Sequence, residues 1–225
     1  MNTPGSPGAL YKSRRQAGQI LAARLHIYID HDPIILALPR GGVPVGYEVA
    51  RALGAPLDVL IVSKIGAPEN KDMALGAVAN ESAKRWVANQ EMLDYFNPPA
   101  GWFEAERDRQ VDNIERRKYL YGSHDYSLSL TGRTVIVVDD GVETGSTARV
   151  ALVALAEVAP ARLVWATPVG PVNIIDSLSA LADDVICLAT PNSVKRIGMY
   201  YQDFPMVSDG DVVSLLALCR VGSNV

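Results

Sequence analysis

With 225 residues, 48% of them hydrophobic, the chain can bury a substantial core without disulfide or metal staples. A formal net charge of −4 argues against a nucleic-acid or anionic-membrane partner, and no apolar run approaches the ~20 residues of a membrane helix. Cys187 and Cys219 lack metal-ligand spacing; both fall in apolar stretches and read as buried thiols of a reducing cytoplasm.

Residues 1–8, MNTPGSPG, read as a loose tail and not a signal peptide, and 9–225 as a single domain. Ala17, Leu21, Leu25 and Tyr28 keep helical spacing, which predicts an amphipathic helix over 11–28. A buried strand at 33–38 (PIILAL) stops at Pro39, Gly41 and Gly42, and a helix follows over 43–53. A strand at 57–63 leads into KIGAPENKDM, too polar and too broken by Gly66 and Pro68 for a core element. Residues 74–79 and 85–88 read as a hairpin turned at Asn80 and Glu81.

A charged helix is expected over 102–121, with Phe103, Val111, Ile114 and Tyr121 along one side and a solvated face opposite. Next come a strand at 133–138 and an apolar, buried helix at 146–158. A strand at 162–166, a helix at 171–182, a strand at 184–189 and a last helix at 209–220 complete the pattern. Strands separated by helices imply an α/β fold with a mainly parallel central sheet flanked by helices. Ligands of such sheets bind beyond the carboxyl ends of the strands. The chemically unusual residues lie in three loops, after Leu38, Ser63 and Val138.

The segment 135–147, VIVVDDGVETGST, carries the most chemistry. Four β-branched residues deliver Asp139 and Asp140 to a strand tip, and Gly141, Thr144, Gly145, Ser146 and Thr147 lead into a helix. Small residues at this junction let backbone N–H groups converge on an anion at the positive end of the helix. Two carboxylates beside an anion site make sense when the ligand is also a sugar. Each charge-assisted bond from a vicinal hydroxyl is worth about 1.5–3 kcal/mol. A ribose 5-phosphate satisfies both demands. Aspartates after a strand also cap helices, but that account leaves TGST unexplained, as does a receiver domain. A nucleotide-triphosphate P-loop would need a lysine before the Ser/Thr, and none is present.

This segment resembles the signature for 5-phosphoribosyl pyrophosphate (PRPP) in type I phosphoribosyltransferases. LALPRGGVPVGYEVA, LDVLIVSKIGAPENKDMALGAVA and IGMYYQDFPMVSD extend the likeness to a bacterial group of predicted members, over roughly residues 10–218. The resemblance implies a three-layer domain with a small C-terminal hood. It also implies a soluble, cytoplasmic, Mg2+-dependent transferase that moves 5-phosphoribosyl from PRPP to a nitrogen acceptor and releases pyrophosphate. The acceptor would be a nucleobase, and homodimers are common in the superfamily.

Residue by residue, the resemblance assigns the ribose hydroxyls and Mg2+, directly or through water, to Asp139 and Asp140. The 5-phosphate falls to Glu143, Thr144, Gly145, Ser146 and Thr147, and the pyrophosphate to Arg40, Gly41, Gly42 and Lys71. Lys64, expected to end a strand, would steady the departing charge. Glu143 matches the acidic residue that assists proton transfer in purine-salvage members, whereas the predicted group more often carries a small residue there. Tyr200, Tyr201 and Asp203 fall in the acceptor hood, where tyrosines either stack on a base or pack the hood against the sheet. The family often has a strained peptide in the loop that holds Pro39. Two rival readings stay open: a non-catalytic PRPP or nucleotide sensor on the same fold, and a protein for another phosphorylated sugar. His26, His31 and His124 show no ligand spacing.

Overall fold

The computed structural model describes residues 8–68, 70, 73–80, 86–122 and 129–222. Lys71, Glu81, Arg85, His124 and residues 1–7 of the expected tail lie outside the described residues.

The central sheet has five parallel strands: β1 (Pro33–Ala37), β2 (Leu57–Val59), β6 (Thr134–Val138), β7 (Arg162–Val169) and β8 (Asp184–Ala189), in the order β2-β1-β6-β7-β8. β1 and β6 pair in full register, Pro33 with Thr134 through Ala37 with Val138, and every residue of both is buried. Period-2 geometry sends Ile35, Ala37, Ile136 and Val138 to one face and Ile34, Leu36, Val135 and Val137 to the other. Burying one such Val, Ile or Leu side chain is worth about 1.5–3 kcal/mol. The first face is covered by α1 (Arg14–Leu25), α2 (Gly42–Leu53) and α7 (Asp209–Gly222), the second by α5 (Ser146–Ala156) and α6 (Val172–Leu178). Three layers result, as the resemblance implied.

Local chemistry sets the helix ends. Ser13 caps α1 by accepting from the Gln16 amide at 3.3 Å, and α2 stops at Gly54, whose φ of 61° is left-handed. Among the described residues, no helix is long and apolar enough to cross a membrane.

The strand expected at 57–63 is two strands. β3 (Val62–Gly66) leaves the central sheet and pairs antiparallel with β4 (Ala74–Ala79), which pairs with β5 (Trp86–Ala88). Asn80 manages the break: its carbonyl accepts from the Ile61 amide at 2.8 Å and its amide donates to the Val59 carbonyl at 3.0 Å. Lys64 therefore sits mid-strand opposite Ala77 and does not end a strand as expected.

The second sheet packs on α4 (Trp102–Leu120), whose Phe103 and Ile114 are buried, with Tyr121 buried just beyond its end. A short helix, α3 (Gln90–Phe96), was not anticipated; it buries no side chain fully, and its apolar face is only Met92, Leu93 and Phe96, half-buried against the core. Its signal was the Asn89 cap, which accepts from the Met92 amide at 3.2 Å. Cys187 and Cys219 form no disulfide with each other and are half-buried, less enclosed than expected, because β8 is an edge strand and α7 an outer helix. Burial pushes the Cys187 thiol up to about 11.

Candidate functional site

Strand order reverses between β1 and β6, which opens a crevice beyond their carboxyl ends. Two loops meet there. The first, 38–42, is held by the Leu38 amide on the Val138 carbonyl at 2.9 Å and the Gly42 amide on the Leu38 carbonyl at 3.0 Å. Its Pro39–Arg40 peptide is cis. Gly41 lies directly against the Asp140 carboxylate, and a Cβ on Gly42 would stand 2.6 Å from the Val138 carbonyl oxygen. Space, and not backbone freedom, requires both glycines: Gly41 has an ordinary helical φ of −62°.

The second loop, 141–148, lines a cavity of about 210 Å³ together with Asp139 and Ile197. The Val142 amide anchors it to the Val169 carbonyl at 2.8 Å. Gly145, with φ 73°, turns the chain into α5 as an N-cap without a side chain. That start leaves first-turn amides beside the cavity with the Thr144, Ser146 and Thr147 hydroxyls, the Ser146 amide making a long 3.5 Å bond to Thr144 Oγ1. An anion is the natural occupant.

The two aspartates divide their surroundings. Asp139 is half-buried on the loop cavity, and one of its oxygens accepts from the Asp140 amide at 2.8 Å. Burial first, then the adjacent Asp140, pushes the Asp139 carboxyl well above the usual range, against the Asp140 N–H and Arg14, which lower it. Asp140 is buried and faces a larger cavity of about 720 Å³. Its Oδ2 accepts from Arg14 Nε at 2.7 Å. Arg14 also donates to the Pro205 carbonyl at 2.7 Å and lies 3.5 Å from the Phe204 ring centroid. Sequence reasoning passed over Arg14. Its one local signal was a cation in the first turn of a helix, where the dipole disfavours it unless an anion is near.

Arg40, Arg196, Ile197, Phe204 and Met206 line the larger cavity. Arg40 is half-exposed, with its guanidinium 3.8 Å from Asp209. Glu143 lines both cavities and accepts from the Ile197 amide at 3.2 Å. Lys64 lines neither cavity, and Lys71 is outside the described residues.

The hood is built from both ends of the chain. The Leu10 and Tyr11 amides donate to the Tyr200 carbonyl at 2.9 and 3.0 Å, and the Gln202 amide returns to Tyr11 at 2.8 Å. Tyr200 and Tyr201 are buried and line neither cavity. The Tyr200 hydroxyl donates to the Ser193 carbonyl at 3.2 Å and the Tyr201 hydroxyl to the Asp140 carbonyl at 2.6 Å. Burial, then Asp140, keeps the Tyr201 hydroxyl protonated well beyond the ordinary tyrosine range. Asp203 is exposed, on a separate cavity of about 520 Å³ behind the strap of residues 201–207. The apolar groups on the larger cavity are instead Ile197, Phe204, Pro205, Met206 and Val207, with Met206 85% exposed.

Among the described residues, no group of three or more His, Cys, Asp or Glu is placed to hold a metal ion. The Asp139/Asp140 pair suits an ion that takes one or two carboxylates and fills its shell with water and ligand phosphates. Mg2+ is such an ion.

A crystal structure of TT1426 from Thermus thermophilus is 39% identical with a TM-score of 0.83, covering 92% of this chain and 97% of that one. Two Mycobacterium tuberculosis proteins, "Putative phosphoribosyl transferase Rv0571c" and "Putative phosphoribosyl transferase MT0597", are each 37% identical over 207 residues, 92% of this chain. The match covers 46% of their own length, so the chain spans about half the length of these relatives. Residues 7–202 match the phosphoribosyl transferase domain, and the chain belongs to that family.

Proposed function

We propose that this domain transfers the 5-phosphoribosyl group of PRPP to a nitrogen acceptor, a nucleobase, and releases pyrophosphate. The observation that carries this reading is one crevice in which an uncapped helix start, a carboxylate pair and an arginine loop converge. The loop 143–147 takes the 5-phosphate through its amides and hydroxyls. Asp139 and Asp140 accept from the ribose hydroxyls; the bond from Arg14 to Asp140 and the bond from the Asp140 amide to Asp139 each occupy one carboxylate oxygen. Arg40 and the Gly41 amide receive the pyrophosphate, with Lys71 as a further cation; Gly42, whose amide is spent on the Leu38 carbonyl, only lets the loop approach closely.

As the C1–oxygen bond to pyrophosphate breaks and the C1–nitrogen bond forms, the acceptor nitrogen sheds its proton. Glu143, which lines both cavities, takes it. The departing negative charge falls to Arg40; Lys64, paired opposite Ala77 in β3 and lining neither cavity, is not given that role. Within the hood, Tyr200 and Tyr201 fix the strap whose Phe204 and Met206 meet the acceptor, and Asp203 lies on its outer side. Asp139, with Asp140 through water, would hold Mg2+. Bound there, the ion would neutralise diphosphate charge beside the ribose.

One observation favours a second reading, a PRPP or nucleotide sensor. Lys64 is held in β3 and lines neither cavity. A pyrophosphate-release screen with PRPP, Mg2+ and a panel of purines, pyrimidines and small amines separates the two. Release with one acceptor supports the transferase. Silence across the panel, with PRPP still bound, supports the sensor.

A further inference from the structure

We infer that Arg14 is a positioning residue of the phosphoribosyl site: it holds the Asp140 carboxylate in place and fastens the hood strap to it. The inference rests on the phosphoribosyl reading above. Arg14 has a side chain only 10% exposed, set in the first turn of α1. That location is unfavourable twice over, for the helix dipole repels a cation and burial removes its hydration. The position is tolerable because Nε, Nη1 and the face of the guanidinium each have a partner. Nε binds Asp140 Oδ2 at 2.7 Å, Nη1 binds the Pro205 carbonyl at 2.7 Å, and the plane lies on Phe204 at 3.5 Å. A planar fork can do all three at once; an ammonium cannot.

A second tie runs parallel to the first. The Tyr201 hydroxyl donates to the Asp140 backbone carbonyl at 2.6 Å, and the Tyr201 ring packs 4.9 Å from Phe204. Asp140 is thus held at its side chain by Arg14 of α1, itself bonded to the strap, and at its main chain by Tyr201 of the strap, while Gly41 closes its remaining side. The orientation of this carboxylate and the position of the strap over the larger cavity are one mechanical unit. Arg14 is its pivot.

Calorimetric titration with ribose 5-phosphate and, separately, inorganic phosphate tests this, using Arg14→Met, Arg14→Lys, Asp140→Asn and the double variant Arg14→Met/Asp140→Asn. Ribose 5-phosphate binding should weaken about tenfold or more in Arg14→Met and be only partly restored in Arg14→Lys. Inorganic phosphate, which needs only the 143–147 loop, should bind unchanged, a split that general damage to the fold would not produce. Arg14→Met should add little when Asp140→Asn is already present. If Arg14→Met does not fold, Phe204→Leu removes the stacking face without touching charge and should weaken ribose 5-phosphate selectively. Equal ribose 5-phosphate affinity in wild type and Arg14→Met, or the same loss with and without Asp140→Asn, overturns the inference. Failure of the wild type to bind ribose 5-phosphate or PRPP overturns the phosphoribosyl reading itself.

Discussion

The Ile197 amide donates to the Glu143 carboxylate across 3.2 Å, tying the 141–148 loop to the hood over a sequence separation of 54 residues. The bond uses one carboxylate oxygen and leaves the other at the border of the two cavities. A structural duty and the proposed catalytic one therefore meet in one side chain, and the isosteric amide separates them. Glu143→Gln keeps an acceptor for Ile197 but cannot take a proton. Turnover should fall about a hundredfold or more, with the KM for PRPP little changed. Wild-type turnover in Glu143→Gln would leave Glu143 with the structural duty alone.

Gly41→Ala places a methyl group on the Asp140 carboxylate. The backbone there is ordinary, so the cost is overpacking, about 1–3 kcal/mol. For a chain of this size that is a fall of roughly 2–12 °C in Tm. PRPP affinity should fall with it, because the displaced group is a proposed ribose ligand. Differential scanning calorimetry and a PRPP titration on the same sample check both. An unchanged Tm would mean that the loop relaxes away from Asp140.

Asn80 joins β2 to β3 through two hydrogen bonds that a methyl group cannot replace. Asn80→Ala strands the Ile61 amide and the Val59 carbonyl and should cost about 1–3 kcal/mol, read in urea denaturation as a lower midpoint at unchanged slope. A midpoint within error of wild type would show that water replaces both bonds.

Alkaline stability carries the imprint of Cys187, whose thiol is raised from 9.0 to about 11 by burial. The folded state holds the proton more tightly, so the contribution is fully present below pH 9 and is lost as pH rises through 11. A shift of that size corresponds to about 2–3 kcal/mol. Between those two pH values the wild type should lose stability more steeply than Cys187→Ser. Parallel curves of Tm against pH would remove Cys187 from the account.

How much of this was legible before the structure depends on range. The run Val135–Val138 followed by two aspartates and TGST announces strand, acid pair and helix start within one short segment, because each feature depends on its neighbours alone. The PRGG turn was readable for the same reason. Arg14 was not, since its partner Asp140 is 126 residues away and only folding brings them together. Nor was the pairing of Tyr11 with Tyr201, which makes the hood a product of both ends of the chain. Lys64 was misplaced because an apolar run shows no seam where one strand hands over to another; the seam is the Asn80 side chain. The hood tyrosines could be read as stacking or packing groups, and burial of both leaves the exposed edge of the strap to Phe204 and Met206.

The central claim is that the crevice between β1 and β6 binds a phosphoribosyl group. Titration calorimetry of PRPP with Mg2+ against the wild type and Asp139→Asn tests it most directly. Saturable binding by the wild type, weakened about tenfold or more in the variant, is the predicted result. No binding of PRPP by the folded wild type, or equal binding by both proteins, would contradict it.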